Sequence, residues 1–114
     1  MADRPHSISM NVETAAEQLE ALGNPTRLAL YRVLVRAGDS GLSVGQVQER
    51  LSIAGSTLSH HLHRLILTGL VRQERQQTTL ICRAQYPAMN ALIGFLVDEC
   101  CADATCAPAQ ETAA

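Results

Sequence analysis

The chain has 114 residues, of which 46% are hydrophobic and 18% charged, with a formal net charge of −2. That length holds one small domain with a modest core, and that balance suits a chain that folds rather than one that stays disordered. No apolar run reaches the roughly 18 residues a membrane span needs, and no basic stretch followed by an apolar one opens the chain, so a cytoplasmic protein without a signal peptide or membrane partner is expected.

Residues 1–11 lack periodicity and are expected to form a flexible arm. From Val12 to Leu22, the residues Ala15, Ala16, Leu19 and Leu22 recur at helical spacing and predict a first helix that Gly23 ends. Asn24-Pro25 is a strong helix start, with Asn as the N-cap and Pro at the first helical position. The second helix is expected to run to about Ala37 with Leu28, Tyr31, Leu34 and Val35 facing inward, followed by a turn from Gly38 to Gly41. Ser43 and Gln46 fit a capping box for a short third helix that carries Val44, Val47 and Leu51 inward.

A break from Ser52 to Gly55 precedes a fourth helix, expected from about Ser56 to Thr68 and closed by Gly69. Leu70 to Glu74 and Thr79 to Arg83 predict a β-hairpin with Arg75 to Thr78 between its strands. Tyr86-Pro87 opens a last helix bearing Met89, Leu92, Ile93, Leu96 and Val97, and the residues from Ala102 onward read as a flexible tail. The domain proper is therefore placed at residues 12–101, between the arm and the tail at 102–114.

The fourth helix is two-sided. Leu58, Leu62, Leu65 and Ile66 make one apolar stripe; Ser56, Thr57, His60, His63 and Arg64 lie opposite, with His61 at the boundary. A short helix, a turn and a second helix with a polar face form the helix-turn-helix pattern, in which the second helix enters the major groove. The hairpin would be a wing whose tip, Arg75, Gln76 and Gln77, touches the DNA backbone or minor groove. The candidate DNA-binding residues are thus Ser56, Thr57, Ser59, His60, His61, Arg64, Arg75, Gln76 and Gln77. No carboxylate stands at ligand spacing from the three histidines, so they are read as DNA-facing or hydrogen-bonded boundary residues rather than metal ligands.

Local charge supports the same function. From His60 to Arg83 four arginines stand against Glu74 alone, a local balance of +3, whereas four acids and no arginine lie from Val97 to Ala114. The local field matters more than the net charge for attracting a duplex.

Three of the four cysteines, Cys100, Cys101 and Cys106, fall within seven residues. In a reducing compartment such a cluster reads as metal-binding or redox-sensing. Thiolates select soft ions, and three sulfurs without a nearby His suit As(III) or Sb(III) better than a four-ligand zinc site. A redox or persulfide switch among the same thiols, and incidental tail cysteines, are the alternatives. Cys100 follows Val97 by three residues and Leu96 by four, which also permits a core position. The helix is expected to end near Cys101 so that the tail can return Cys106 to the pair. Cys82 alternates with Leu80 on a strand and is read as a buried small hydrophobe. No Gly-rich phosphate loop or carboxylate pair accompanies the Cys and His residues, so neither an enzyme nor an organic cofactor is expected.

Leu22-Gly23-Asn24-Pro25-Thr26-Arg27 before a helix, Ser56-Thr57-Leu58-Ser59-His60-His61-Leu62, and Gly69-Leu70-Val71 together resemble the ArsR/SmtB repressors over roughly Val12 to Cys101. The resemblance implies a mainly α winged helix-turn-helix with a β-hairpin wing, dimerised through its first and last helices. It also implies that this homodimer represses a metal-resistance operon by binding inverted-repeat operator DNA and leaves when metal binds. Three features depart from the family pattern. Leu42-Ser43-Val44-Gly45-Gln46 contains no Cys-Val-Cys motif, the last helix lacks the His/Asp ligands of zinc sensors, and the wing tip holds Gln76-Gln77 where an Arg-Gly type turn is commoner. The chain is similar to the arsenic-responsive subgroup with a Cys-Cys pair and a later Cys after the last helix.

Overall fold

A computed structural model describes residues 10–104. Nearly all of the expected arm, most of the tail and Cys106 lie outside them.

Helix α1 (Val12–Leu22) starts at Asn11, whose side chain accepts the Thr14 amide at 2.8 Å. Its buried positions are Ala15, Gln18 and Ala21, while Val12 and Leu19 are exposed and Ala16 faces out. The inner face thus keeps Ala15 and, partly buried, Leu22 of the expected stripe, with Gln18 and Ala21 in place of Ala16 and Leu19. Gln18 donates from Nε2 to the Thr68 carbonyl at 2.9 Å, tying α1 to a segment fifty residues on.

Helix α2 (Pro25–Ala37) is capped by Asn24, which accepts the Arg27 amide at 3.0 Å. Leu30, Tyr31 and Leu34 are buried; Leu28, expected inside, is exposed and Leu30 takes its place. Apolar residues ring most of this helix, so spacing alone underdetermines the inner face. Burial of Tyr31 raises its phenol to about 12, with Tyr86 adding to the shift. A 3-10 turn, Gly38–Ser40, leads to a strand that periodicity did not reveal, β1 (Leu42–Ser43).

Helix α3 (Val44–Leu51) carries the expected capping box: Ser43 Oγ accepts the Gln46 amide at 3.1 Å and Gln46 Oε1 accepts the Ser43 amide at 2.9 Å. The turn to α4 (Gly55–Leu67) is made by Ser52 in the left-handed region, φ 54° and ψ 47°. Gly55, expected in that turn, is instead the first residue of α4. A Cβ there would meet only the Gln48 side chain, at 3.7 Å, so space does not demand a glycine.

Strands β2 (Val71–Gln76) and β3 (Thr79–Ala84) pair antiparallel from Val71 opposite Ala84 to Gln76 opposite Thr79. The hairpin turn is tighter than expected, Gln77 and Thr78 alone, with Gln77 at φ 59°. Arg75 and Gln76 thus belong to a strand. β1 joins the other edge of β3, giving the order β1-β3-β2, with Leu42 opposite Cys82. The core gathers Leu30, Leu34, Val47, Leu58, Leu65, Leu70, Val71 and Cys82.

Helix α5 (Tyr86–Val97) is anchored at its first residue, where the Tyr86 hydroxyl donates to the Val35 carbonyl at 3.0 Å. Only Ala88 and Leu92 are buried along it; Ile93, Leu96 and Val97 are exposed. The helix stops at Val97 rather than near Cys101, and Cys100 is exposed, not core.

Gly41 holds β1 against β3. It sits at φ +69°, and a Cβ would lie 2.6 Å from the Cys82 carbonyl oxygen and 2.7 Å from Arg83 Cγ. Gly41→Ala is expected to cost about 1–3 kcal/mol or more from backbone strain and overlap. Gly45→Ala, where a Cβ meets only Ser43 Oγ at 4.0 Å, should be neutral or gain up to ~1 kcal/mol. Urea unfolding of both variants checks this; equal midpoints for the two would show that Gly41 is not required.

Candidate nucleic-acid interface

Helix α4 is seated by its apolar stripe. Leu58, Leu62 and Leu65 are buried and Ile66 packs partly against the core, as the spacing predicts. At 100° per residue the opposite direction then points through His60, with Ser56, Ser59 and His63 on one flank and Thr57 and Arg64 on the other. Ser56, Thr57, Ser59, His60 and His63 are exposed. This outer face carries hydroxyls and imidazoles, side chains that reach base edges and phosphates from a helix in the major groove.

His61 is not part of that face. It is half-buried, and Arg27 Nη1 approaches its Nδ1 at 3.3 Å while Arg27 Nε donates to the Ala21 carbonyl at 2.6 Å. One arginine from α2 thereby joins the end of α1 to the middle of α4. The contact needs an unprotonated Nδ1, which places the ring proton on Nε2. Desolvation, followed by the charges of Arg27 and His60, lowers the His61 pKa below its ordinary 6.5.

The cations are more heavily compensated than the sequence count implies. Arg64 donates to the Glu20 carboxylate of α1. On the wing, Glu74 serves two arginines: it accepts from Arg83 and lies 3.6 Å from Arg72. Arg83 also donates to the Asp39 carbonyl at 2.8 Å, which makes it a strut between the sheet and the 3-10 turn. Among the described residues, Arg75 is the wing arginine without an ion pair, and it is exposed beside Gln76 and Gln77. Glu20 and Arg27 are the site residues that sequence reasoning missed. Their partners lie 44 and 34 positions away, and local pattern gives no sign of such pairs.

At the far end of the molecule, Cys100 Sγ and Cys101 Sγ are 3.7 Å apart, and both residues are exposed. Cys100 borders a cleft of about 430 Å³ formed by Val12 of α1 and by Phe95, Leu96, Asp98 and Glu99. Among the described residues no group of three or more His, Cys, Asp or Glu side chains could hold a metal. His60, His61 and His63 are therefore not gathered into such a site, and the third expected sulfur, Cys106, lies outside the described residues.

Residues 22–74 match the sequence model of a family described as "Helix-turn-helix domain". The transcriptional activator HlyU of Vibrio cholerae is 33% identical over 86 residues, 75% of this chain and 77% of HlyU. The HlyU structure superposes with a TM-score of 0.62, covering 78% of this chain and 97% of HlyU. The homodimeric winged helix-turn-helix domain of Mb0332 from Mycobacterium bovis, a possible ArsR-family regulator, aligns at 25% identity with a TM-score of 0.61, covering 77% and 82% of the two chains. The chain belongs to the ArsR family of winged helix-turn-helix transcription regulators. Another structure of this fold is the transcriptional repressor BigR of Xylella fastidiosa, 29% identical with a TM-score of 0.59 over 78% of this chain and 88% of BigR. In this ArsR-family chain α3, the Ser52 turn and α4 are the helix-turn-helix, and β2 with β3 is the wing. Among the described residues, no helix is long and apolar enough to cross a membrane.

The His61 contact carries a pH dependence. The folded chain binds a proton at His61 less readily than the unfolded chain does, so stability is full above pH 6.5 and falls as pH drops from there through the lowered folded value. Asn offers an acceptor oxygen near the Nδ1 position without titrating. Between pH 7.5 and 5, His61→Asn is expected to lose less stability than the unaltered chain in urea titrations. Parallel pH profiles would refute the Arg27–His61 contact.

Proposed function

We propose that this chain is a homodimeric repressor that holds inverted-repeat operator DNA and releases it when As(III) or Sb(III) binds Cys100, Cys101 and Cys106. The observation that carries the reading is the pair of exposed sulfurs 3.7 Å apart just beyond α5. In their reduced, thiolate form two sulfurs this near would be able to share one thiophilic ion, with Cys106 five residues on to supply a third.

What α1 and α5 leave uncovered supports the dimer. Val12 and Leu19 on α1, and Ile93, Leu96 and Val97 on α5, are between 42% and 68% exposed. Five large apolar side chains on two helices favour a protein partner, and Mb0332 is described as homodimeric. Repression agrees with BigR, described as a repressor, whereas HlyU is described as an activator. In a two-fold dimer the two α4 helices would meet half-sites about one DNA turn apart. Cys100 shares its cleft with Val12 of α1, so an ion drawing the tail onto the pair would act where the dimer helices meet. Coupling of this kind is typically about 1–3 kcal/mol, or 5- to 150-fold in affinity.

Sensing through thiol oxidation or persulfidation is the second reading. HlyU has been solved in a form described as reduced.

An operator selected from a random-sequence pool allows both readings to be tested by anisotropy. Arsenite under full reductant is expected to weaken operator binding about 5- to 150-fold. Cys100→Ser, Cys101→Ser and Cys106→Ser should each retain operator binding and lose that response. Release by persulfide alone, with no arsenite effect under strict reduction, would replace the metalloid by an oxidant. In the same assay, Thr57→Ala and His60→Ala should each cost roughly 1–3 kcal/mol, concentrated at one base position. Undiminished affinity in the double variant would mean that α4 is not the reading helix.

A further inference from the structure

Arg64 is the only arginine or lysine on α4. It lies four residues beyond His60 and seven beyond Thr57, on the DNA-side flank of the helix, where a guanidinium would meet a phosphate. In the DNA-free chain that guanidinium is already engaged by the Glu20 carboxylate of α1. We propose that Glu20 is an intramolecular competitor for Arg64 that lowers DNA affinity until a backbone phosphate displaces it. The proposal rests on α4 being the DNA-facing helix.

Three observations support an exchangeable contact rather than a structural one. The side chains of Arg64 and Glu20 are 37% and 65% exposed, and ion pairs in such solvated positions are weak enough to open. A phosphate presents the same fork of acceptor oxygens as a carboxylate, so the guanidinium can pass from one to the other without losing its geometry. Glu20 is also kept in place by other contacts, since Gln18 holds Thr68 and Arg27 holds the Ala21 carbonyl. Once displaced, its carboxylate remains close to Arg64 and repels the phosphate that has taken its place. Affinity for DNA is thereby set partly from α1.

A phosphate contact is independent of sequence, so a fluorescein-labelled mixed-sequence duplex is a sufficient probe. Binding would be measured by anisotropy across a salt series for the unaltered chain, Glu20→Gln, Arg64→Gln and the double variant, with circular dichroism to establish that each is folded. Glu20→Gln is expected to bind about two- to fivefold more tightly, the range spanned by exposed ion pairs. Its log affinity against log salt should be steeper by up to ~0.9, one added phosphate contact. Arg64→Gln should bind more weakly, and Glu20→Gln should add little in that background. An equal gain from Glu20→Gln with and without Arg64 would reduce the effect to net charge and overturn the competition, as would unchanged affinity in Glu20→Gln alone. Failure of the unaltered chain to bind any duplex would overturn the DNA-facing assignment of α4 and this proposal with it.

Discussion

The outer face of α4 exists because its inner face is sealed. Leu58, Leu62 and Leu65 are withdrawn from water together, and a helix with three such anchors over two turns cannot roll without exposing them. At about 25 cal/mol per Å² of apolar surface, each leucine contributes on the order of 2 kcal/mol toward holding that rotation. The orientation of His60 and Thr57 is thus a consequence of hydrophobic burial on the other side. Arg27 adds a polar brace at the same place, joining the end of α1, the first turn of α2 and the middle of α4.

An acidic chain that binds an acidic polymer has to manage its field closely, and the ion pairs show how this one does so. Glu74 is shared by Arg72 and Arg83, and Glu20 engages Arg64, so Arg75 alone on the wing presents an uncompensated guanidinium among the described residues. Nonspecific affinity grows with the number of phosphates neutralised. Two carboxylates placed against three arginines keep that number small.

How far the fold could be read from sequence depends on the range of the physics involved. The Asn24-Pro25 start, the Ser43/Gln46 capping box and the α4 stripe are local rules, and each is visible in a window of a few residues. β1 is only two residues long and exists because β3 pairs with it, so no window contains its cause. The turn before α4 was misread because Gly55 looked like the flexible residue, whereas Ser52 adopts the left-handed conformation. On α1, α2 and α5 the apolar residues were visible but their direction was not. Leu19, Leu28 and Ile93 satisfy helical spacing yet face outward, since periodicity does not distinguish a core from a surface left for another chain. On α4, the exposure of Ser56, Thr57, Ser59 and His60 on the face opposite the leucines followed from the pattern. The engagement of His61 and Arg64 depends on residues brought close only by the tertiary fold.

Among the described residues, Cys82 and Cys100 are free cysteines of opposite character. Cys82 has no solvent exposure, pairs across the sheet with Gln73 and receives a hydrogen bond from its Nε2 at 3.5 Å; burial nonetheless pushes the thiol up, away from the thiolate. An electrophile needs the thiolate and a path to it, and in the folded chain Cys82 offers neither. Its alkylation would therefore mark only molecules whose sheet has opened. Cys82 is a built-in reporter of global unfolding, while reagents that meet the native protein encounter an exposed thiol at Cys100, beyond the last helix.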